Sequence, residues 1–171
     1  MPEASANTRK LSAIEIEMES KLPINGAFAS GGMVSIVQTL NLSEEYKPDF
    51  SFWNSEHICR CDDKHIVQAY LTEERAKVLT EVLKRKNTWG IFIFRGDDTL
   101  LRIDTPEPFD NIEKLTKVID TLIAAAKILE LKSKENLELT AIQNKKKAAP
   151  VVEIKDEDLG VIDIELEEDE S

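Results

Sequence analysis

Residues 89–104 read WGIFIFRGDDTLLRID, and this stretch decides the fold. In residues 89–95 both alternating sets are apolar, Trp89, Ile91 and Ile93 on one side and Phe92 and Phe94 on the other. A strand that is apolar on both sides is covered on both, which predicts a central position in a sheet. Gly96-Asp97-Asp98 is a turn-forming triplet, and residues 99–104 (TLLRID) supply a return strand. The stretch therefore predicts a β-hairpin at the heart of the molecule.

Towards the C-terminus, residues 105–108 (TPEP) break the strand. Asp110, with Glu113 three residues later, has capping-box spacing and predicts a helix start. Ile112, Leu115, Val118, Ile119, Leu122, Ala126 and Leu129 then form one wide apolar stripe at helical spacing. The helix is expected to run to about Leu131, roughly six turns. Residues 137–142 (LELTAI) suggest a last strand, and residues 144–150 (NKKKAAP) a linker.

Towards the N-terminus, residues 56–61 (EHICRC) and 65–71 (HIVQAYL) flank Asp62-Asp63-Lys64, which predicts a second hairpin. Thr72 suits a helix N-cap, with Glu73 and Glu74 in the first turn, where carboxylates complement the helix dipole. Ala76, Leu79, Val82 and Leu83 recur at helical spacing, and Lys84, Arg85 and Lys86 close the last turn. Earlier still, Ile14, Ile16 and Met18 alternate with Glu15, Glu17 and Glu19, predicting a half-buried strand with one carboxylate-lined face. Residues 25–32 (NGAFASGG) read as a loop and 43–51 as a polar connector, with residues 33–42 between them as a strand or a short helix. The glycines of residues 26–35 lack the lysine that a phosphate loop needs.

Together these readings predict an α+β fold. A mostly antiparallel sheet carries two helices packed on one face, in a ββα–ββα pseudo-repeat. The expected organisation is a flexible N-terminus over residues 1–11, one domain over residues 12–143, and a linker with a disordered acidic tail over residues 144–171. The order of elements over residues 33–131 resembles the secretion-chaperone-like α+β fold, a resemblance of topology that carries no motif residues. It implies a non-enzymatic, chaperone-like binding body.

The charge is segregated along the chain. The formal net charge is −11 over 171 residues, yet residues 151–171 alone carry ten acidic side chains and one lysine. The first 150 residues, with 23 acidic and 21 basic side chains, are nearly neutral. No apolar run approaches the roughly 18–20 residues needed to span a bilayer, so no membrane association is expected. No apolar run follows the basic residues of the N-terminus, so no secretory signal is expected either. Two cysteines are too few for a disulfide framework, which predicts an intracellular protein, cytoplasmic or nuclear.

Three constellations bear on function. His57, Cys59, Cys61 and His65 are zinc-ligand types at H-x-C-x-C-x3-H spacing, although thiolates one residue apart are closer than tetrahedral ligation usually takes. Two buried small cysteines and two ordinary histidines are the other reading. Lys84, Arg85, Lys86, Arg95 and Arg102, with Phe50, Phe52, Trp53 and Trp89, make a candidate surface for single-stranded nucleic acid, for which the acidic tail would compete. Asp62-Asp63 and Asp97-Asp98 read as turn residues rather than as carboxylate pairs for chemistry.

The tail holds the third. Val151-Val152-Glu153-Ile154 and Val161-Ile162-Asp163-Ile164 are each three apolar residues and one acid, followed by an acidic run. Both resemble SUMO-interacting motifs. The resemblance implies that Val151, Val152, Ile154, Val161, Ile162 and Ile164 add a strand to a partner's sheet edge, with the acidic run meeting a basic rim. The function expected is a non-enzymatic protein-binding or adaptor module that recruits its partner through this tail and needs no cofactor. A nucleic-acid-binding protein with an autoinhibitory tail and a zinc-dependent or zinc-stabilised protein are the alternatives.

Overall fold

Trp89–Arg95 forms a strand buried from Gly90 to Phe94, with neighbours on both edges and cover on both faces. The computed structural model describes residues 10–95 and 98–153. Within them, six strands make one antiparallel sheet: β1 (Ser12–Glu17), β2 (Gly26–Ala29), β3 (Glu44–Glu45), β4 (Ile58–Cys61), β5 (Trp89–Arg95) and β6 (Asp98–Thr105). Their order across the sheet is β1-β6-β5-β2-β4-β3, every pair antiparallel. The helices are α1 (Met33–Gln38), α2 (Lys64–Tyr70), α3 (Glu73–Leu83), α4 (Ile112–Leu129) and α5 (Ser133–Glu153).

Alternation along the strands divides the core in two. Phe28, Cys59, Cys61, Phe92, Phe94, Leu101 and Ile103 face one way and meet apolar residues of α2, α3, α4 and α5. Ala27, Ala29, Ile91 and Ile93 face the other way and meet Met33 and Val37 of α1. Four helices thus pack on one face and a short fifth covers the other, where two on one face were expected. β1 is the half-buried strand that its alternation predicts: Ile14 and Ile16 pack on the larger core, while Glu15 and Glu17 stand exposed.

Several local expectations give way to tertiary structure. Of residues 65–71, expected as a strand, 65–70 belong to α2 and Leu71 follows as its C-cap. The Asp63 carboxylate accepts the His65 N–H at 2.9 Å as an N-cap, and Ile66, Val67 and Tyr70 are buried at helical spacing. The first half of the chain is therefore strand-helix-helix at this point and does not repeat the second. Residues 33–42 take the helical alternative over Met33–Gln38. Residues 137–142, expected as a strand, lie in α5, as do residues 144–150, expected as a linker. The α4 cap is Asn111, whose side chain accepts the Lys114 N–H, one residue beyond Asp110. The carboxylates of the first hairpin turn serve structure: Asp62 accepts from the Asn25 amide at 3.1 Å, and Asp63 caps α2.

Candidate functional site

Residues 46–57 carry four aromatic side chains and one histidine, and they fold over the end of the sheet where β3 and β4 meet. The Tyr46 N–H donates to the Cys59 carbonyl at 3.0 Å, which extends the β3–β4 pairing by a residue. Beyond it, Trp53 N–H donates to Phe50 O and His57 N–H to Asn54 O, each at 3.0 Å, so two successive turns bring the chain back to β4. The Asn54 side chain tightens the second turn by accepting the Glu56 N–H at 2.8 Å. Trp53 meets Phe28 edge-on at 5.8 Å between ring centres and His57 edge-on at 6.0 Å, so the core fixes its position.

These turns enclose a cleft of about 370 Å³. Tyr46, Trp53 and His57 supply aromatic wall, Val34, Pro48 and Ile58 aliphatic wall, and Glu45, Glu56, Lys47 and Ser55 its polar groups. His57 is 8% exposed, and its buried Nδ1 has no hydrogen-bond partner among the described residues. Burial holds the imidazole's pKa below the ordinary histidine value, against a smaller opposing pull from the Glu56 carboxylate. Burial likewise pushes the Tyr46 hydroxyl up, aided by the Cys59 thiol and by Asp49. The cleft thus presents aromatic rings, an imidazole whose charged form burial disfavours, and two carboxylates against one ammonium.

The structure separates the four proposed zinc ligands. Cys59 and Cys61 are free thiols inside the larger core, and burial raises the Cys59 pKa well above the ordinary thiol value. His57 lines the cleft, and His65 is exposed on the first turn of α2. Among the described residues no three histidine, cysteine, aspartate or glutamate side chains are placed to hold a metal ion. The cause is local: with residues 65–70 helical, His65 no longer sits across a hairpin from the thiols.

Three of the five basic residues pair with carboxylates. Lys84 pairs with Glu81 at 3.1 Å, Arg95 with Asp98 at 3.7 Å, and Arg102 with Asp104 at 2.7 Å and Glu15 at 3.4 Å. Arg85 and Lys86 line a smaller cleft with Lys114. The aromatics expected beside them are engaged elsewhere: Phe50 stacks on Phe52, Trp53 sits against Phe28, and Trp89 lies over Gly31 and Gly32. Of the tail residues, Val151 and Val152 fall in the last turn of α5, while Ile154, Val161, Ile162 and Ile164 lie outside the described residues.

Two features escaped sequence reasoning. One is the cleft itself, whose signal was four aromatics in an otherwise polar connector. The other is Arg75, a buried cation on the apolar stripe of α3. Its guanidinium donates to the carbonyls of Tyr70, Ile128 and Glu130, forms a two-point pair with Glu135, and lies 4.5 Å from the centre of the Tyr70 ring. The Tyr70 hydroxyl donates to Leu129 O at 2.5 Å, so the pair ties the α2–α3 junction to the α4–α5 junction. This cluster is architectural. Set against known protein families and curated proteins, the sequence matches no family model and no curated protein.

Proposed function

We propose that the chain is a non-enzymatic protein-binding module whose acidic tail recruits a partner by strand addition. The observation that supports this reading is the tail's sequence pattern, set beside where the described core ends. Leu139 is the last residue of the larger core among the described residues, and the last side-chain hydrogen bond among them runs from Gln143 Nε2 to Pro23 O at 2.7 Å. The apolar tetrads begin twelve residues past Leu139, followed by acidic runs. Apolar tetrads of this kind suit a partner's sheet edge, where main-chain hydrogen bonds give affinity and alternate side chains give specificity.

The first tetrad begins inside α5. Val151 and Val152 are helical at the end of α5, so strand addition there first unwinds one turn. Pro150 lowers that cost, because it contributes no N–H to the helix and disfavours it by about 3 kcal/mol. The second tetrad lies outside the described residues.

Binding to a SUMO-type protein tests the reading. The full-length chain, a chain ending at Lys147, and a Val161→Ala/Ile162→Ala/Ile164→Ala variant are titrated by calorimetry. The expected result is binding by the full-length chain, loss in the truncated chain, and a drop of at least ten-fold in the triple variant, with thermal midpoints unchanged. Equal binding by all three, or a truncated chain that unfolds, refutes it. Binding of a single-stranded oligonucleotide at low salt that strengthens on truncation would move the reading to nucleic acid.

A further inference from the structure

The cleft beside β3 has a chemistry of its own that the tail does not use. We infer that it is a receptor for a lysine or arginine side chain presented by an extended basic peptide. A volume of about 370 Å³ is small for a ligand cavity, within a usual range of roughly 300–1,000 Å³, and suits one long side chain better than a large cofactor. Tyr46 and Trp53 line the cleft, and aromatic rings attract a cation through their quadrupoles. Glu45 and Glu56 outnumber Lys47 among the charged lining residues. Arg60, opposite Glu45 in the β3–β4 register, is turned away and donates to Leu42 O at 2.6 Å. Burial disfavours the charged form of His57, so it competes little with a cation, and its buried Nδ1 has no hydrogen-bond partner among the described residues.

The sheet itself indicates the peptide. Among the described residues β3 is the terminal strand and pairs with β4 alone, which leaves its outer edge for another strand. A chain laid along that edge projects alternate side chains to the side where Glu45 and Tyr46 begin the cleft wall. An anionic guest would meet two carboxylates, and an apolar one would leave them and the imidazole unpaired on desolvation.

The test uses the full chain carrying Trp89→Phe, so that fluorescence reports Trp53 alone. It is titrated with a capped peptide of alternating alanine and arginine, its lysine counterpart, the same peptide with citrulline for arginine, and a glutamate version. The expected result is saturable binding of the arginine and lysine peptides with a change in Trp53 emission. Citrulline should weaken binding at least ten-fold, as should Glu45→Gln/Glu56→Gln, and Lys47→Glu should strengthen it several-fold. The acidic tail is identical in all these variants. Binding that ignores the Glu45→Gln/Glu56→Gln change, or leaves Trp53 emission unaltered, therefore belongs to the tail and overturns the proposal. Equal affinity for citrulline or preference for glutamate overturns it too. Neither result bears on strand addition by the tail, which the titration with a SUMO-type protein decides separately.

Discussion

A Cβ added at Gly32 would lie 2.7 Å from the Trp89 ring, and one at Gly31 would lie 2.5 Å from it. The indole rests on bare backbone where the chain turns into α1, and this explains two glycines that the sequence marks only as loop residues. Their costs separate. Gly32 has φ −65°, which any residue adopts, so Gly32→Ala should destabilise by the overpacking term alone, about 1–3 kcal/mol. Gly31 has φ +57°, so Gly31→Ala adds about 1–2 kcal/mol of left-handed strain. In a Trp89→Ala background the Gly32→Ala penalty should vanish and the Gly31 strain should persist. Urea unfolding of the four combinations checks this, and an undiminished Gly32→Ala penalty would refute the contact. Acid should act on two other residues in sequence. Below a pH of about 6.5 the unfolded chain protonates a histidine that buried His57 resists protonating, so stability falls as pH drops through that window. Glu135 has its pKa held low by the Arg75 hydrogen bonds, so its contribution is complete above about pH 4.3 and disappears as pH falls through the folded value. Thermal midpoints against pH should lose the upper slope in His57→Phe and the lower one in Glu135→Gln. A wild-type slope retained in either variant assigns that window to another group.

At the scale of elements, legibility in the sequence follows the distance over which an element is determined. β5, β6, α3 and α4 were legible because each carries its own signal: uniform apolarity for β5, a capping threonine for α3, a long stripe for α4. Residues 65–71 were not. Their β-branched pair Ile66-Val67 reads as strand, but Asp63 caps a helix there and Tyr70 is needed beneath Arg75, one element away. α5 was illegible for the opposite reason. It buries little of itself and is held at points, by Glu135 on Arg75 and by Gln143 on Pro23, and neither contact leaves a periodic pattern. The cap of α4 shows how fine the remaining margin is. Asp110 and Asn111 are both good N-caps by type, and the structure uses Asn111, which accepts the Lys114 N–H at 3.1 Å. Asn111→Ala should cost about 1 kcal/mol and Asp110→Ala only a few tenths. Chemical denaturation of the two variants distinguishes them, and the reverse order would move the cap back to Asp110.

For the whole molecule, the sheet order could not be read locally, because its pairings join distant segments. Ser12 pairs with Thr105, and Gly26 pairs with both Phe94 and Cys61. The cleft was hidden for the same reason, since α1, the β3 strand and the residues before β4 each contribute a wall. That connectivity sets where resistance to unfolding should concentrate. β5 and β2 are paired on both edges and covered on both faces, by the larger core on one side and by α1 on the other. Among the described residues β1 and β3 have one partner each, and the larger core takes Leu139 alone from α5. Amide hydrogen exchange should therefore be slowest in Gly26–Ala29 and Trp89–Arg95, where opening requires global unfolding, and faster in Ser12–Glu17 and in the later turns of α5. Trp53 is anchored on Phe28, at the centre of this most protected region, so the cleft wall should open only with the core, whereas Glu44–Glu45 at its mouth exchanges early. A rigid wall beside a labile edge is the arrangement that strand addition at β3 requires. Late exchange at β3 together with early exchange at β2 would contradict both the packing hierarchy and the docking geometry built on it.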